Sequence, residues 1–173
     1  MDWESVCEVD MIQFDNVSFQ YEKDNKIIDN ISFQIQDGES VGLIGANGAG
    51  KSTIMKLIVG ILEGEGEIRV KDIPVNRKEL HKIRKYCGYV LQNADDQMFM
   101  PTVYEDMIFG PRNYGMPKEE TERKIDEILK NLDIEDLKHR FNHKLSGGEK
   151  RMAAIATVLA MEPEVLLMDE PTT

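Results

Sequence analysis

The chain has 173 residues, 41% of them hydrophobic and 31% charged, and a formal net charge of −11. This is the length of one well-cored domain with the composition of a soluble globular protein. The acidic balance excludes binding driven by a basic surface, to nucleic acid or to anionic lipid. No apolar run reaches membrane-spanning length, and Met1-Asp2-Trp3-Glu4 lacks the basic and apolar regions of a signal peptide.

In chain order, Ile12 to Gln20 and Asn30 to Gln36 alternate apolar and polar residues, which predicts half-buried antiparallel strands. Val41 to Ile44 is a short apolar run read as the strand that feeds the glycine-rich stretch Gly45 to Gly50. A helical pattern follows from Lys51 to Ile61. Glu67 to Val70 reads as a strand from which Lys71-Asp72 turns out, Arg77 to Lys85 as a helix, and Cys87 to Leu91 as another strand. From Thr102 to Leu137 the chain is helical and more polar. Pro111 is expected to break one helix and Pro117 to start the next, which buries Ile125, Ile128, Leu129 and Leu132. Val165 to Met168 is too short for a helix and reads as a fully buried parallel strand. Cys7 and Cys87 form no metal-ligand spacing and are expected as reduced thiols, Cys87 as a packing residue.

Three stretches carry chemistry. Gly45-Ala46-Asn47-Gly48-Ala49-Gly50-Lys51-Ser52 fits the GxxxxGK[ST] pattern, with a strand expected before it and a helix after it. Its glycines let successive backbone N–H groups turn toward phosphate oxygens. Lys51 would neutralise β- and γ-phosphates and Ser52 would place its hydroxyl on Mg2+. Gly45, Asn47, Gly48, Gly50, Lys51, Ser52 and Thr53 are the candidate phosphate-binding residues. The last predicted strand ends in Asp169-Glu170, carboxylates that a buried strand could not hold unpaired. Loop and acidic pair are expected at one sheet edge, where α/β ligands gather. There Asp169 would hold Mg2+ and Glu170 would polarise the attacking water. Gln92 ends its own strand and would reach the same edge, a neutral amide able to touch both metal shell and water.

The third stretch is Leu145-Ser146-Gly147-Gly148-Glu149. Ser146 and Glu149 stand at capping-box spacing, and Met152, Ile155, Ala156 and Leu159 follow at helical spacing. A capped helix has no use for two glycines in its first turn, each costing up to about 1 kcal/mol relative to alanine. A helix whose bare N–H groups must approach an anion does. The competing reading is an ordinary capped helix with incidental glycines.

Taken in order, GANGAGKS, LSGGE and VLLMDEP resemble the ATP-binding subunits of ABC transporters, over about Ile12 to the C-terminus. The resemblance implies an α/β fold: a RecA-like P-loop NTPase core with an N-terminal antiparallel β subdomain and a helical insertion at about 93–145. Residues 1–173 would form a single such domain, incomplete at its C-terminus. It implies ATP and Mg2+ as cofactors, and nucleotide sandwiched head-to-tail between two ATPase subunits, identical or paralogous. Ser146, Gly147 and Gly148 would then touch the γ-phosphate of the partner's ATP. Tyr21 matches the aromatic that stacks on adenine, against the alternative of a strand aromatic packed on the sheet. Gln92 matches the glutamine that couples the site to membrane subunits, and Glu170 the catalytic glutamate. The stretch from Gln92 through Phe99 to Pro111 is similar to the energy-coupling-factor importers of cobalt, nickel or vitamins, with Ala94 where that group has proline. An integral-membrane transport subunit, the cytoplasmic membrane face and no nucleic acid partner follow from the resemblance.

Family members continue beyond the position of Thr173 with a loop aspartate and a switch histidine. His81, His139 and His143 all precede Asp169 and cannot supply it, so they are read as surface or helix-end residues. The polypeptide is therefore expected to bind Mg-ATP weakly and hydrolyse it poorly alone. The competing classes are an ABC-type ATPase acting on nucleic acid or ribosomes, and a P-loop kinase or GTPase. The latter lacks support from any Asn-Lys-x-Asp segment.

Overall fold

The computed structural model describes residues 10–22 and 25–170. Cys7 and the stretch Pro171-Thr172-Thr173 lie outside the described residues. The chain divides into two compact units, Met1–Arg84 and Lys85–Thr173.

In the first unit, β1 (Asp10–Glu22), β2 (Asn25–Gln36), β3 (Glu65–Val70) and β4 (Ile73–Pro74) form an antiparallel sheet of order β2-β1-β3-β4. The alternation seen in β1 slips by one residue. Ile12 and Phe14 are buried, then Val17 is, and the pairing with β2 shifts between Phe14 and Val17. Asn16 absorbs the extra residue at φ 49, and its N–H donates to Ser32 Oγ at 2.9 Å. Asn30, at φ 50, does the same on β2 and donates to Ser18 Oγ at 2.9 Å. Two Asn–Ser pairs thus hold one bulged register, which keeps the apolar side chains on the buried face. Lys71 and Asp72, both at positive φ, make the two-residue turn from β3 to β4.

Helix α1 (Lys51–Ile58) stops one turn short of the expected Ile61. Gly60, at φ 63, sends its N–H to Leu57 O at 3.1 Å, and Ile61 sends its N–H to Lys56 O at 2.9 Å. These are the two bonds of a glycine-dependent helix stop. Arg84 adds its guanidinium to the carbonyls of Val59 and Gly60.

The strand expected at Val41 to Ile44 does not form. The run belongs to neither sheet. Val41 is 54% exposed and Ile44 97%. An apolar parallel strand needs at least one strand to pair with and cover on both faces, and the described strands of this unit pair in their own antiparallel ladder.

Helix α2 (Leu80–Tyr86) runs across the boundary between the units, starting three residues later than expected because Asn76 caps the preceding turn through Lys78 and Glu79 N–H. In the second unit, β5 (Cys87–Val90) and β6 (Val165–Met168) pair in parallel, Cys87 opposite Val165 and Val90 opposite Met168. The expected full burial of β6 is corrected: Leu166 is 41% exposed, because β6 pairs only with β5 among the described residues. Helices α3 (Val103–Asn113), α4 (Lys118–Asn131) and α5 (Gly147–Leu159) share a core of Val103, Met107, Ile125, Leu129, Leu137 and Leu145. Pro111 does not break α3, which continues to Asn113 with Pro111 buried in its last turn. The steric clash of proline with the residue before it is relieved there, because that residue is Gly110. Pro117 caps α4 as expected. The buried residues of α5 are Ala153, Ala154 and Ala156, with Ala160 buried at its C-cap, whereas the larger Met152, Ile155 and Leu159 are only partly covered. Small side chains there let the helix sit close to its neighbours.

One polar cluster lies inside this helical unit. Asp106 is 1% exposed. It accepts from Phe99 N–H at 3.2 Å, from Met100 N–H at 3.1 Å and from the Asn142 amide, which also donates to Met100 O at 2.6 Å. The cluster pins the segment before α3. Burial outweighs the three donors and raises the Asp106 carboxyl above its ordinary value. With the folded carboxyl raised, folding takes up a proton, so this group's contribution to stability is present below the unfolded pKa and is lost as pH rises through the folded one. Asp106→Asn is therefore expected to gain in stability relative to the parent as pH rises across the carboxylate range. Denaturant unfolding of both proteins from pH 4 to 7 checks this, and a variant whose stability relative to the parent stays constant or falls as pH rises would contradict it.

Candidate functional site

The glycine loop is a turn closed by Ala49 N–H on Ala46 O at 3.1 Å. Gly48 lies at φ 81 and Gly50 at φ 93, and Gly50 is the N-cap of α1 with no side-chain cap bond. A Cβ on Gly50 would stand 2.7 Å from Ile28 Cδ1, so the helix start is seated against β2. The first N–H groups of α1 are left to whatever binds above them. Lys51 folds back, its ammonium donating to Gly45 O at 2.9 Å and Ala46 O at 3.0 Å. Gly45, Asn47 and Gly48 are exposed, and Ser52 is half-buried at the start of α1. Thr53 is buried, with its hydroxyl 3.3 Å from the hydroxyl of Tyr21. Tyr21 is exposed and meets Phe19 edge-on at 4.8 Å. Two residues expected at the nucleotide, 32 apart in sequence, are thus brought together.

The second unit gathers the other candidates at the carboxyl ends of β5 and β6. Asp169 is buried; its N–H donates to Val90 O at 3.1 Å and its carboxylate accepts from the Tyr89 hydroxyl at 3.3 Å. Glu170 adopts φ 48 and accepts from the Gln92 side-chain amide at 2.8 Å. Gln92 and Glu170, placed 78 residues apart in sequence, therefore touch. The loop and the acidic pair were expected to end strands of one sheet. That expectation is not met, because Val41 to Ile44 joins no sheet.

At the start of α5, both halves of the capping box form. The Glu149 N–H donates to Ser146 Oγ at 3.3 Å, and Ser146 N–H donates to the Glu149 carboxylate at 2.7 Å. The latter bond and the Arg140 guanidinium at 2.7 Å hold Glu149 below the ordinary carboxyl range. Gly147 and Gly148 are exposed, neither has positive φ, and a Cβ on either would meet nothing within 4 Å. Among the described residues, no contact and no backbone conformation asks for glycine at these positions.

Arg151, Tyr89 and Gln97 were not singled out in the sequence. Arg151 donates to backbone carbonyls on both strand ends, and Gln97 links Leu91 N–H to Ala154 O. The available signal was a lone arginine one turn after the glycine pair, ahead of Met152-Ala153-Ala154. Cys87 is buried and its thiol is pushed up to about 12 by that burial, which makes it an inert packing group. His81, His139 and His143 lie at the surface.

The ABC transporter family model matches residues 28–173. A putative ABC transporter ATP-binding protein of Geobacter sulfurreducens is 46% identical over 154 residues, which is 88% of this chain and 62% of its own length. The energy-coupling factor transporter ATP-binding protein EcfA of Methanocaldococcus jannaschii is 45% identical over 165 residues, 94% of this chain and 59% of its own. The chain thus spans 59% to 62% of the length of these curated relatives. Among solved structures, CbiO1 of Clostridium perfringens, part of the ABC transporter complex CbiONQ, matches with a TM-score of 0.83 at 38% identity, over 95% of this chain and 67% of that one. An ATP-binding cassette solved as a dimer in a post-hydrolysis state with ADP and Pi matches with a TM-score of 0.83 at 29% identity, over 94% of this chain and 75% of that one. Matched over most of its length and folded as these solved structures are, the chain belongs to the ABC transporter family.

Proposed function

We propose that this chain is the ATP-binding and ATP-hydrolysing part of an importer of the energy-coupling-factor kind, taking up a transition-metal ion such as cobalt or nickel, or a vitamin. The observation that carries the ATPase reading is the glycine pair Gly147-Gly148, which nothing among the described residues requires. Exposed N–H groups at a capped helix start fit a phosphate brought by another molecule. This supports a head-to-tail pair of ATPase subunits in which Ser146, Gly147 and Gly148 of one face the nucleotide held by the other. The importer reading leans on the EcfA and CbiO1 relatives. A net charge of −11 speaks against the nucleic-acid alternative.

The residues present fit Mg-ATP. Gly45, Asn47, Gly48, Gly50, Lys51, Ser52 and Thr53 would hold the phosphates, with Tyr21 exposed for adenine. In the first unit the Ser52 hydroxyl, and in the second unit the Gln92 side-chain carbonyl and the Asp169 carboxylate, are each a hard oxygen of the kind Mg2+ takes. Among the described residues no cluster of three or more His, Cys, Asp or Glu stands ready for a metal alone, which suits an ion that arrives with its nucleotide. Mg-ATP, when bound, supplies the phosphoryl group that passes to water. Glu170 accepts a hydrogen bond from that water and polarises it, while Gln92, bonded to Glu170, orients it. Lys51 gives up two loop carbonyls for phosphate charge.

A membrane-embedded partner is supported by the apolar surface of the helical unit. Phe99, 64% exposed, and Phe109 meet edge-to-face at 4.9 Å in the open. No helix among the described residues is long and apolar enough to cross a membrane, so the transport path would belong to that partner, with this chain on its cytoplasmic face.

Lys51→Ala is expected to weaken Mg-ATP binding by roughly tenfold or more, the loss of one charge-assisted phosphate contact, as measured by equilibrium dialysis. Unchanged affinity would contradict the loop assignment. Gly148→Ala is expected to hold or raise the stability of the chain by up to about 1 kcal/mol, while ATP turnover in the assembled ATPase falls roughly 100-fold. Thermal unfolding and steady-state hydrolysis measured side by side check it. Loss of stability with turnover intact would overturn the reading.

A further inference from the structure

Arg151 sits one turn into α5, immediately past the capping box. Its Nη1 donates to Leu91 O and to Gln92 O, the latter at 3.3 Å. Its Nη2 donates to Asp169 O at 2.9 Å and to Glu170 O at 3.1 Å. One planar guanidinium therefore spans the carboxyl ends of both parallel strands, at the two residues whose side chains meet at 2.8 Å. The buried Nε–H has no hydrogen-bond partner among the described residues, so the fork is held through its two Nη groups. A lysine ammonium, a single point of charge, cannot present two donors to each strand.

Gln97 closes the same arrangement from the other side. Its Oε1 accepts Leu91 N–H at 2.9 Å and its Nε2 donates to Ala154 O at 2.8 Å. Lys150 pairs with Asp95. The segment from Leu91 to Gln97 is thus fastened to α5 at three points, through Lys150, Arg151 and Ala154.

We infer that Arg151 is a positioning residue that ties the first turn of α5 to the Gln92–Glu170 pair, so that a ligand seated on Gly147-Gly148 sets the geometry of that pair in the same chain. A displacement of the helix start carries the carbonyls of Gln92 and Glu170 with it, because four hydrogen bonds to one rigid fork do not lengthen independently. The role of the pair in hydrolysis rests on the proposed ATPase reading; the strut itself does not.

The test uses Arg151→Met and Arg151→Lys in the ATPase assembly containing this chain. Hydrogen exchange by mass spectrometry is expected to speed up about tenfold at 91–97 and 169–170 in Arg151→Met, with β1 and β3 unchanged and Arg151→Lys intermediate. The kcat for Mg-ATP is expected to fall roughly 10- to 100-fold, the effect of a small misplacement, with KM within about twofold because the loop around Lys51 is untouched. Parent-like exchange at 91–97 in Arg151→Met overturns the strut, and parent-like kcat overturns its link to hydrolysis. Exchange rising uniformly over 85–170 in both variants shows a merely structural arginine and also overturns it. A parent assembly without Mg-ATP turnover sinks the ATPase reading instead, and the exchange result then decides the strut by itself.

Discussion

Every helix start carries backbone N–H groups that the helix itself cannot satisfy, and the arrangement of this protein follows from where two such starts are left open. α1 begins at Gly50, whose left-handed conformation and contact with Ile28 leave no room for a capping side chain. α5 is capped by Ser146 and Glu149, yet its next two residues are exposed glycines. One start is therefore bare because the chain packs tightly beneath it. The other is bare although none of the described residues packs against its glycines. That contrast separates a glycine the fold itself requires, at Gly50, from a glycine pair that waits for another molecule.

The second unit is organised around the same end of α5. Asp169 and Glu170 leave β6 just where Arg151 receives their carbonyls, and Gln92 leaves β5 into the same guanidinium. Backbone, rather than side-chain charge, is what this arginine reads. The carboxylate of Asp169 is left to Tyr89 and that of Glu170 to Gln92. The main chain of both acidic residues is thus held through Arg151, independently of their carboxylates.

Much of this was legible in the sequence because it depends on local chemistry. Glycine spacing announced the loop at Gly45–Gly50, and the serine–glutamate spacing announced the cap at Ser146. What was not legible depends on partners far along the chain. The slip of register at Asn16 is set by Ser32, sixteen residues away, and looks like unbroken alternation in the sequence. The seating of α5 on alanines hides in a helix that also carries larger apolar residues at helical spacing. Pro111 stays inside α3 because its neighbour is a glycine, an exception that only the packing reveals. Val41 to Ile44 shows the opposite error: its composition is that of a strand, but a strand needs a ladder that composition does not supply. Arg151 escaped notice because its partners are carbonyls, which leave no trace in the identity of the residues that own them.

The central claim is that the exposed glycine pair completes a nucleotide site on a second molecule. The most direct measurement is the mass of the Glu170→Gln protein in solution with and without Mg-ATP, compared with the same protein also carrying Gly148→Ala. The account predicts that nucleotide drives Glu170→Gln to twice its mass, and that adding Gly148→Ala abolishes this association while each molecule still binds nucleotide. Association that survives Gly148→Ala, or nucleotide bound in full by a protein that never associates, would contradict it.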